Sequence, residues 1–158
     1  MIAEFFIREA RESDANTISE VLLASIRDLC ARDHDGAEAA LQQWLANKTP
    51  QNIRRWLRNR DNIILVAECD GEIVSVGGLQ TSGTVTLNYV APAFRFQGLS
   101  KAMMGALERR AQQLDLPMLT LESTQTAHEF YLGLGYTDAG EAGAKHGLSN
   151  FPMRKSIG

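Results

Sequence analysis

Cysteine is almost missing from this chain, and the little there is carries no chemistry by position. Cys30 and Cys69 are the only two, a count and spacing that fit neither a disulfide framework nor a metal-ligand cluster. No metal is expected, and a reducing cytoplasm is the default localisation. No apolar run approaches the roughly 18 residues needed to span a bilayer, so no membrane partner is expected. The stretch Met1 to Phe5 lacks a basic segment followed by an apolar core, so secretion is not expected either. Charge of one sign is also scarce: the formal net charge of −3 argues against a nucleic-acid partner. The Gly-x-Gly-x-x-Gly of a dinucleotide fold and the Gly-Lys-Ser/Thr of an NTPase loop are both absent. What remains is ordinary globular composition, 44% apolar and 22% charged over 158 residues. That supports one domain spanning 1–158 with a core of its own.

Hydrophobic periodicity divides the chain into helical and extended segments. Ile2 to Arg8 predicts a strand. Ser13 or Asp14 then caps a helix carrying Ile18, Val21, Leu22, Ser25 and Leu29 on one face and ending near Asp33-His34-Asp35-Gly36. Ala37, Ala40, Leu41, Trp44 and Leu45 mark a second helix. Thr49-Pro50 starts a third, with Ile53, Trp56 and Leu57 facing inward. The period then changes. Ile63 to Ala67 is a continuous apolar run, expected for a strand covered on both faces. Asp70-Gly71 turns a hairpin into Ile73 to Leu79, and Thr84 to Val90 alternates as a third strand. Leu99, Ala102, Met103, Ala106, Leu107, Arg110 and Leu114 recur at helical spacing. Pro117 leads into a strand over Met118 to Glu122, and Thr126 to Glu129 has the pattern of a capping box opening another helix. Gly135 stops that helix, residues 139–149 read as a mobile loop, and Phe151 to Lys155 closes as a strand. The resulting order is β-αα(α)-βββ-α-β-α-ββ, an α/β arrangement. The cluster Arg54, Arg55, Arg58 and Arg60 reads as a solvated helix face, or as a docking patch for an anionic ligand or partner.

The densest signal is Tyr89-Val90-Ala91-Pro92-Ala93-Phe94-Arg95-Phe96-Gln97-Gly98-Leu99-Ser100. A strand ends at Val90, and an Arg-x-x-Gly-x-Ser loop feeds a helix. Such a loop directs several backbone N–H groups to one spot, and the helix dipole makes that spot favour anions. Gly98 lets a ligand approach the backbone, and Arg95 adds a forked donor. The same spacing also suits a plain strand-to-helix turn.

The pattern Val-x-Pro-x-x-Arg-x-x-Gly-Leu-Ser-x-x-x-Met resembles the acyl-CoA signature of the GNAT superfamily of N-acyltransferases, whose core is Gln/Arg-x-x-Gly-x-Gly/Ala. Arg95 and Gly98 fit, and Ser100 stands where the family has a final Gly or Ala. Ala127-His128-Glu129-Phe130-Tyr131-Leu132-Gly133-Leu134-Gly135-Tyr136 resembles that superfamily's Ala-x-x-Phe-Tyr-x-x-x-Gly-Phe/Tyr segment. The resemblance spans residues 1–155. It implies a mixed, mostly antiparallel central sheet flanked by helices, with splayed central strands at the acyl-CoA site. It implies acetyl-CoA as co-substrate, in contact with Tyr89, Val90, Arg95, Phe96, Gln97, Gly98, Leu99, Ser100, Lys101 and Ser123. It also implies an oxyanion donor in the backbone N–H near Val90, and such domains often form homodimers.

In GNAT-like enzymes an amine attacks the thioester directly. An amine of pKa about 10.4 is neutral in only roughly 1 part in 2,500 at pH 7, about 4–5 kcal/mol against attack, whereas a thiol near 8.5 leaves as a tolerable anion. Tyr131 matches the family's thiolate-protonating tyrosine, and a phenol near 10 is protonated at neutral pH. By pattern alone it is also one of an apolar stripe with Ala127, Phe130 and Leu134. The base is unassigned among Glu122, Ser123, Glu68 and water held near Asn88, which cannot itself accept a proton. Asp33 and His34, with Asp35, fall in the helical region that covers the acceptor site in this family, and with Asn88 they are the candidate substrate-binding residues; their other reading is a polar turn between helices. His128 reads as a cap-region surface residue, His146 as a loop-tip residue, and Cys30 as core-edge packing. The function expected is acetyl transfer to a primary amine on a small molecule. The alternatives are a protein lysine or N-terminal amine acceptor, a non-catalytic acyl-CoA sensor, and an interaction domain with a degenerate cofactor loop.

Overall fold

Apolar side chains on both faces of the same strands give this protein two cores, one on each side of a sheet. The computed structural model describes residues 4–30, 33, 38–145 and 148–158; His34, Asp35, Gly36, Ala37 and His146 lie outside them. Strands β1 (Phe6–Glu9), β2 (Asn62–Cys69), β3 (Glu72–Gln80) and β4 (Val85–Val90) form one antiparallel sheet in that order. Strands β5 (Met118–Ser123), β6 (Thr137–Asp138), β7 (Gly143–Lys145) and β8 (Leu148–Ser156) form a second group, with β5, β6 and β7 all pairing antiparallel with β8. The helices are α1 (Ala15–Leu29), α2 (Glu38–Leu45), α3 (Pro50–Arg58), α4 (Leu99–Gln113) and α5 (His128–Gly133). The fold is mixed α/β with antiparallel sheets flanked by helices.

The run at Ile63 to Ala67 behaves as its composition dictates. Leu65 and Ala67 pack with α4 residues Met103 and Leu107, while Ile64 and Val66 pack with Ile18 and Leu22 of α1 and Ile53 of α3. Each face excludes water, so no polar alternation survives in that strand. Asp70 and Gly71 both take positive φ, 51° and 78°, as a type I′ turn requires. Thr49 caps α3 as expected, its side chain accepting from the Asn52 N–H at 3.2 Å with Pro50 in the first turn. Close approach of α4 to β3 depends on Gly77: a Cβ there would lie 2.5 Å from Cγ and Sδ of the fully buried Met103.

Several boundaries differ from the sequence expectation. The strand read from Ile2 is described only over Phe6–Glu9. Helix α1 ends at Leu29 and buries Ile26 fully, while Leu29 is only half-buried. Its start has no side-chain cap, because the Asp14 carboxylate accepts instead from Arg8 and from the Arg11 N–H. Leu114 is exposed past the end of α4. The capping box at Thr126 does not form: α5 begins at His128 with Ala127 as its uncapped flank, and the Thr126 N–H is taken by Asp33. The segment read as a loop over 139–149 contains β7 and the start of β8, because β8 supplies a partner edge that sequence periodicity cannot reveal.

Candidate functional site

Two parallel strands that touch at one end and part at the other create the site. The β4 and β5 segments meet at Thr84 and Thr120 through an isolated parallel bridge, supported by the Thr120 N–H donating to the Gly83 carbonyl at 2.9 Å. Beyond that point, among the described residues, the backbone ladder of β4 runs with β3 and that of β5 with β8. The break is prepared in β4 itself. Leu87 opposes Gly78 and Val85 opposes Leu79, leaving Thr86 as an extra residue in a bulge, a feature that bends a strand away from regular pairing. Gly78 makes room for it: a Cβ there would lie 2.6 Å from Thr86 Oγ1.

Ladder geometry fixes what faces the gap. The Ala91 N–H donates to the Val74 carbonyl at 2.8 Å, so the neighbouring Val90 N–H, opposite Ser75 in the register, turns to the other edge. That edge is the parted one. Sequence residue types could not place this donor, because it is a backbone group.

Two clefts meet at the gap, sharing Val85, Thr86, Leu87 and Tyr89 of β4 and the residues from Leu121 to Thr124. The smaller, about 190 Å³, joins Val90, Ser100 at the start of α4, and Tyr131 of α5. Helix α4 begins with Gly98 at φ 80°, a left-handed conformation that favours glycine. The first intrahelical bond runs from the Ala102 N–H to the Gly98 carbonyl. This leaves the amides of Leu99, Ser100 and Lys101 without intrahelical partners, as at any helix start, and no acidic side chain sits in that turn. Arg95 is exposed beside it, its guanidinium 5.2 Å from the Phe96 ring centroid. Phe96 has φ 62° and is 95% exposed.

Tyr131 belongs to the core and also reaches the smaller cleft. Its ring is edge-on to Phe130 and Tyr136 at 5.1 and 5.7 Å, inside the core, while its hydroxyl accepts from Asn88 Nδ2 at 3.3 Å at the wall of the smaller cleft. Burial pushes the phenol above its ordinary value, with the Asn88 hydrogen bond acting the other way. Because Asn88 donates, the Tyr131 proton is left for another acceptor. Helix α5 is held in place at its start by His128, whose ring Nε2 pairs with Asp138 at 2.8 Å and whose ring centroid lies 4.5 Å from that of Phe151.

The larger cleft, about 980 Å³, opens on the side of α2 and α3. Asp33, Trp44, Trp56 and Tyr89 line it. Asp33 Oδ1 accepts from the Thr126 N–H at 2.9 Å, and its Oδ2 is shielded from water without a partner. Tyr89 is pushed well up by burial. Glu122 is the one carboxylate, among the described residues, that lines both clefts. Ser123 is buried and donates to the Thr124 carbonyl at 2.8 Å. Glu68 lines neither cleft and pairs with Arg8. Cys30 borders the smaller cleft, but burial pushes its thiol up to about 12, so it is no nucleophile at neutral pH. His34 and His146 lie outside the described residues.

Sequence reading missed the two tryptophans as cleft walls. They recur at apolar helical spacing, which signals burial without saying whether protein or open cleft lies opposite. The structure draws Tyr89, Val90, Asn88, Ser100, Ser123 and Tyr131 around one cleft and Asp33 to its neighbour. It leaves Arg95, Phe96 and Lys101 on the exposed rim.

Split strands between two helical layers define the fold of the GCN5-related N-acetyltransferases. A GCN5-related N-acetyltransferase from Rhodopseudomonas palustris superposes with a TM-score of 0.87 at 24% identity, over 99% of this chain and 98% of that one. The PaiA N-acetyltransferase of Thermoplasma acidophilum, solved in complex with coenzyme A, gives 0.82 at 17% identity over 97% and 99%. YncA, a putative acetyltransferase from Salmonella typhimurium solved with acetyl-CoA, gives 0.74 at 21% over 98% and 94%. No curated protein matches the sequence. The acetyltransferase (GNAT) domain model matches residues 19–157, and the chain belongs to that family.

Proposed function

We propose that the protein is an acetyl-CoA-dependent N-acetyltransferase acting on a primary amine of a small molecule. One observation carries the reading: the Tyr131 hydroxyl and the open start of α4 border the same narrow cleft, and that cleft meets a wider one at the parted strands. The pyrophosphate of acetyl-CoA sits on the amides of Gly98 to Lys101 with Arg95 beside it, where helix polarity favours negative charge. Phe96, Gln97, Leu99 and Ser123 border the same path, and the thioester arm enters past Tyr89 and Val90. Two of the structural relatives were solved with coenzyme A or acetyl-CoA, which supports this co-substrate.

The transfer balances without any further reagent. An ammonium acceptor first loses a proton, for which Glu122 is the carboxylate bordering both clefts, directly or through water. The neutral nitrogen attacks the carbonyl carbon, forming a C–N bond. The Val90 N–H faces the place where negative charge grows on oxygen. The C–S bond breaks, the thiolate takes the Tyr131 proton, and Tyr131 is refilled from the N–H lost on collapse. The net products are an N-acetyl amine, CoA thiol and one proton released to solvent.

The breadth of the wider cleft, at the upper end for drug-sized ligands, supports a small-molecule acceptor over a single lysine side chain. Thiol release from acetyl-CoA, measured across pooled small amines and lysine peptides with Tyr131→Phe alongside, tests the proposal. Release with a small-amine pool, suppressed in the variant, is expected. Saturable acetyl-CoA binding with no release from any pool would instead mark a non-catalytic acyl-CoA sensor.

A further inference from the structure

We infer that Asp33, Trp44, Trp56 and Tyr89 form an acceptor-recognition box for a primary ammonium carried on a flat apolar body. The inference rests on the transferase reading and adds the chemical class of its acceptor. Four observations on the wider cleft carry it.

First, its charge is negative. Among the described residues, the charged side chains that line it are Asp33, Glu122 and Lys48, and Lys48 Nζ donates to Asn47 at 2.7 Å. Second, Asp33 divides its work. Oδ1 is occupied by the Thr126 N–H, whereas Oδ2 is shielded from water and has no donor. A carboxylate oxygen in that condition carries charge that nothing local offsets, so it draws a cation into the cleft that Asp33 lines. Third, both of the chain's tryptophans line this cleft, with Tyr89 on the β4 side. Tryptophan faces attract cations as well as flat apolar groups. Fourth, Tyr89 borders both clefts, and its phenol is pushed up by burial first and by the Asp33 charge least.

A carboxylate favours the charged form of the amine, which is the form that cannot attack. Its contribution is therefore to ground-state binding, and it belongs in KM rather than in kcat.

Because both tryptophans line this one cleft, intrinsic fluorescence reports binding there without any turnover. The test titrates the full chain at pH 7 with benzylamine, a cation, and with benzyl alcohol, its neutral analogue of nearly the same shape. Wild type is expected to bind benzylamine about tenfold or more tightly than the alcohol. Asp33→Asn keeps an oxygen to accept from Thr126 while removing the charge, and should bind the two ligands equally. Equal affinities in wild type, no fluorescence change with either ligand, or a preference that survives Asp33→Asn would each overturn the box. Acetyl-CoA binding and thiol release, assayed in parallel, separate the two levels. Transfer to amines without cation preference defeats the box alone, whereas absence of acetyl-CoA binding defeats the transferase reading.

Discussion

Asn88 Nδ2 donates to the Tyr131 hydroxyl at 3.3 Å, joining the bulged strand to the helix on the far side of the gap. The bond occupies a lone pair of the phenol and leaves its proton free, so the pair is oriented for donation into the smaller cleft. Tyr131→Phe should lower turnover by roughly 10–10³-fold with little change in acetyl-CoA affinity. Asn88→Ala should cost roughly 2–10-fold, the scale of one neutral hydrogen bond. Steady-state kinetics beside acetyl-CoA calorimetry check both, and unchanged kcat in Tyr131→Phe would remove the phenol from the reaction.

Burial holds the Tyr131 phenol above its ordinary value, so the acid form persists past pH 10. No loss of kcat assignable to this group is expected between pH 6 and about 9. A descending limb that begins near pH 8 and vanishes in Tyr131→Phe would contradict that ordering.

Glu122→Gln removes the carboxylate common to both clefts. At pH 7 kcat/KM should fall roughly 10²–10⁴-fold, and the deficit should shrink as pH rises toward the acceptor's own pKa, where the amine no longer needs a base. A deficit independent of pH would assign Glu122 a packing or binding role instead.

Gly78→Ala places a methyl 2.6 Å from Thr86 Oγ1 and 3.1 Å from Leu87 Cγ, pressing on the bulge that parts the strands. Overpacking of this kind costs about 1–3 kcal/mol. Acetyl-CoA affinity should fall as well, since the bulge shapes the gap. A variant with a lowered Tm and wild-type acetyl-CoA affinity would show that the bulge does not set the site.

Arg8 lies between Asp14, at 2.8 Å, and Glu68, all three side chains largely shielded from solvent. Its guanidinium holds the Asp14 carboxyl below the usual aspartate range. A depressed folded pKa means that the contribution is present above the ordinary value of about 3.9 and is lost as pH falls toward the folded one. Arg8→Met should therefore destabilise the protein by about 1.5–3 kcal/mol at pH 7, with the difference narrowing below pH 4. Urea melts at pH 7 and pH 3 read the two differences, and a constant gap would rule out the ion-pair account.

Legibility followed the range of the interaction that fixes each feature. The hairpin at Asp70-Gly71, the Thr49-Pro50 cap, the doubly covered β2 and the loop feeding α4 are all decided within a few residues, by φ preference, capping chemistry and apolar spacing. They are readable in the sequence, as is the Arg95 to Ser100 pattern that points to the family. Features set by partners far along the chain were not readable. Strand β7 exists because β8 offers it an edge, α5 starts later because Asp33, some ninety residues upstream, occupies the Thr126 amide, and the two tryptophans became cleft walls through the way α2 and α3 sit beside β4 and β5. The parting of β4 from β5 is of the same kind: Thr86 bulges only against Gly78 of the neighbouring strand, and the donor it turns toward the gap is a backbone N–H that no side chain announces. Local sequence determined most of the elements and the loop that feeds α4. Tertiary pairing decided where two strands separate, and so where a ligand can enter.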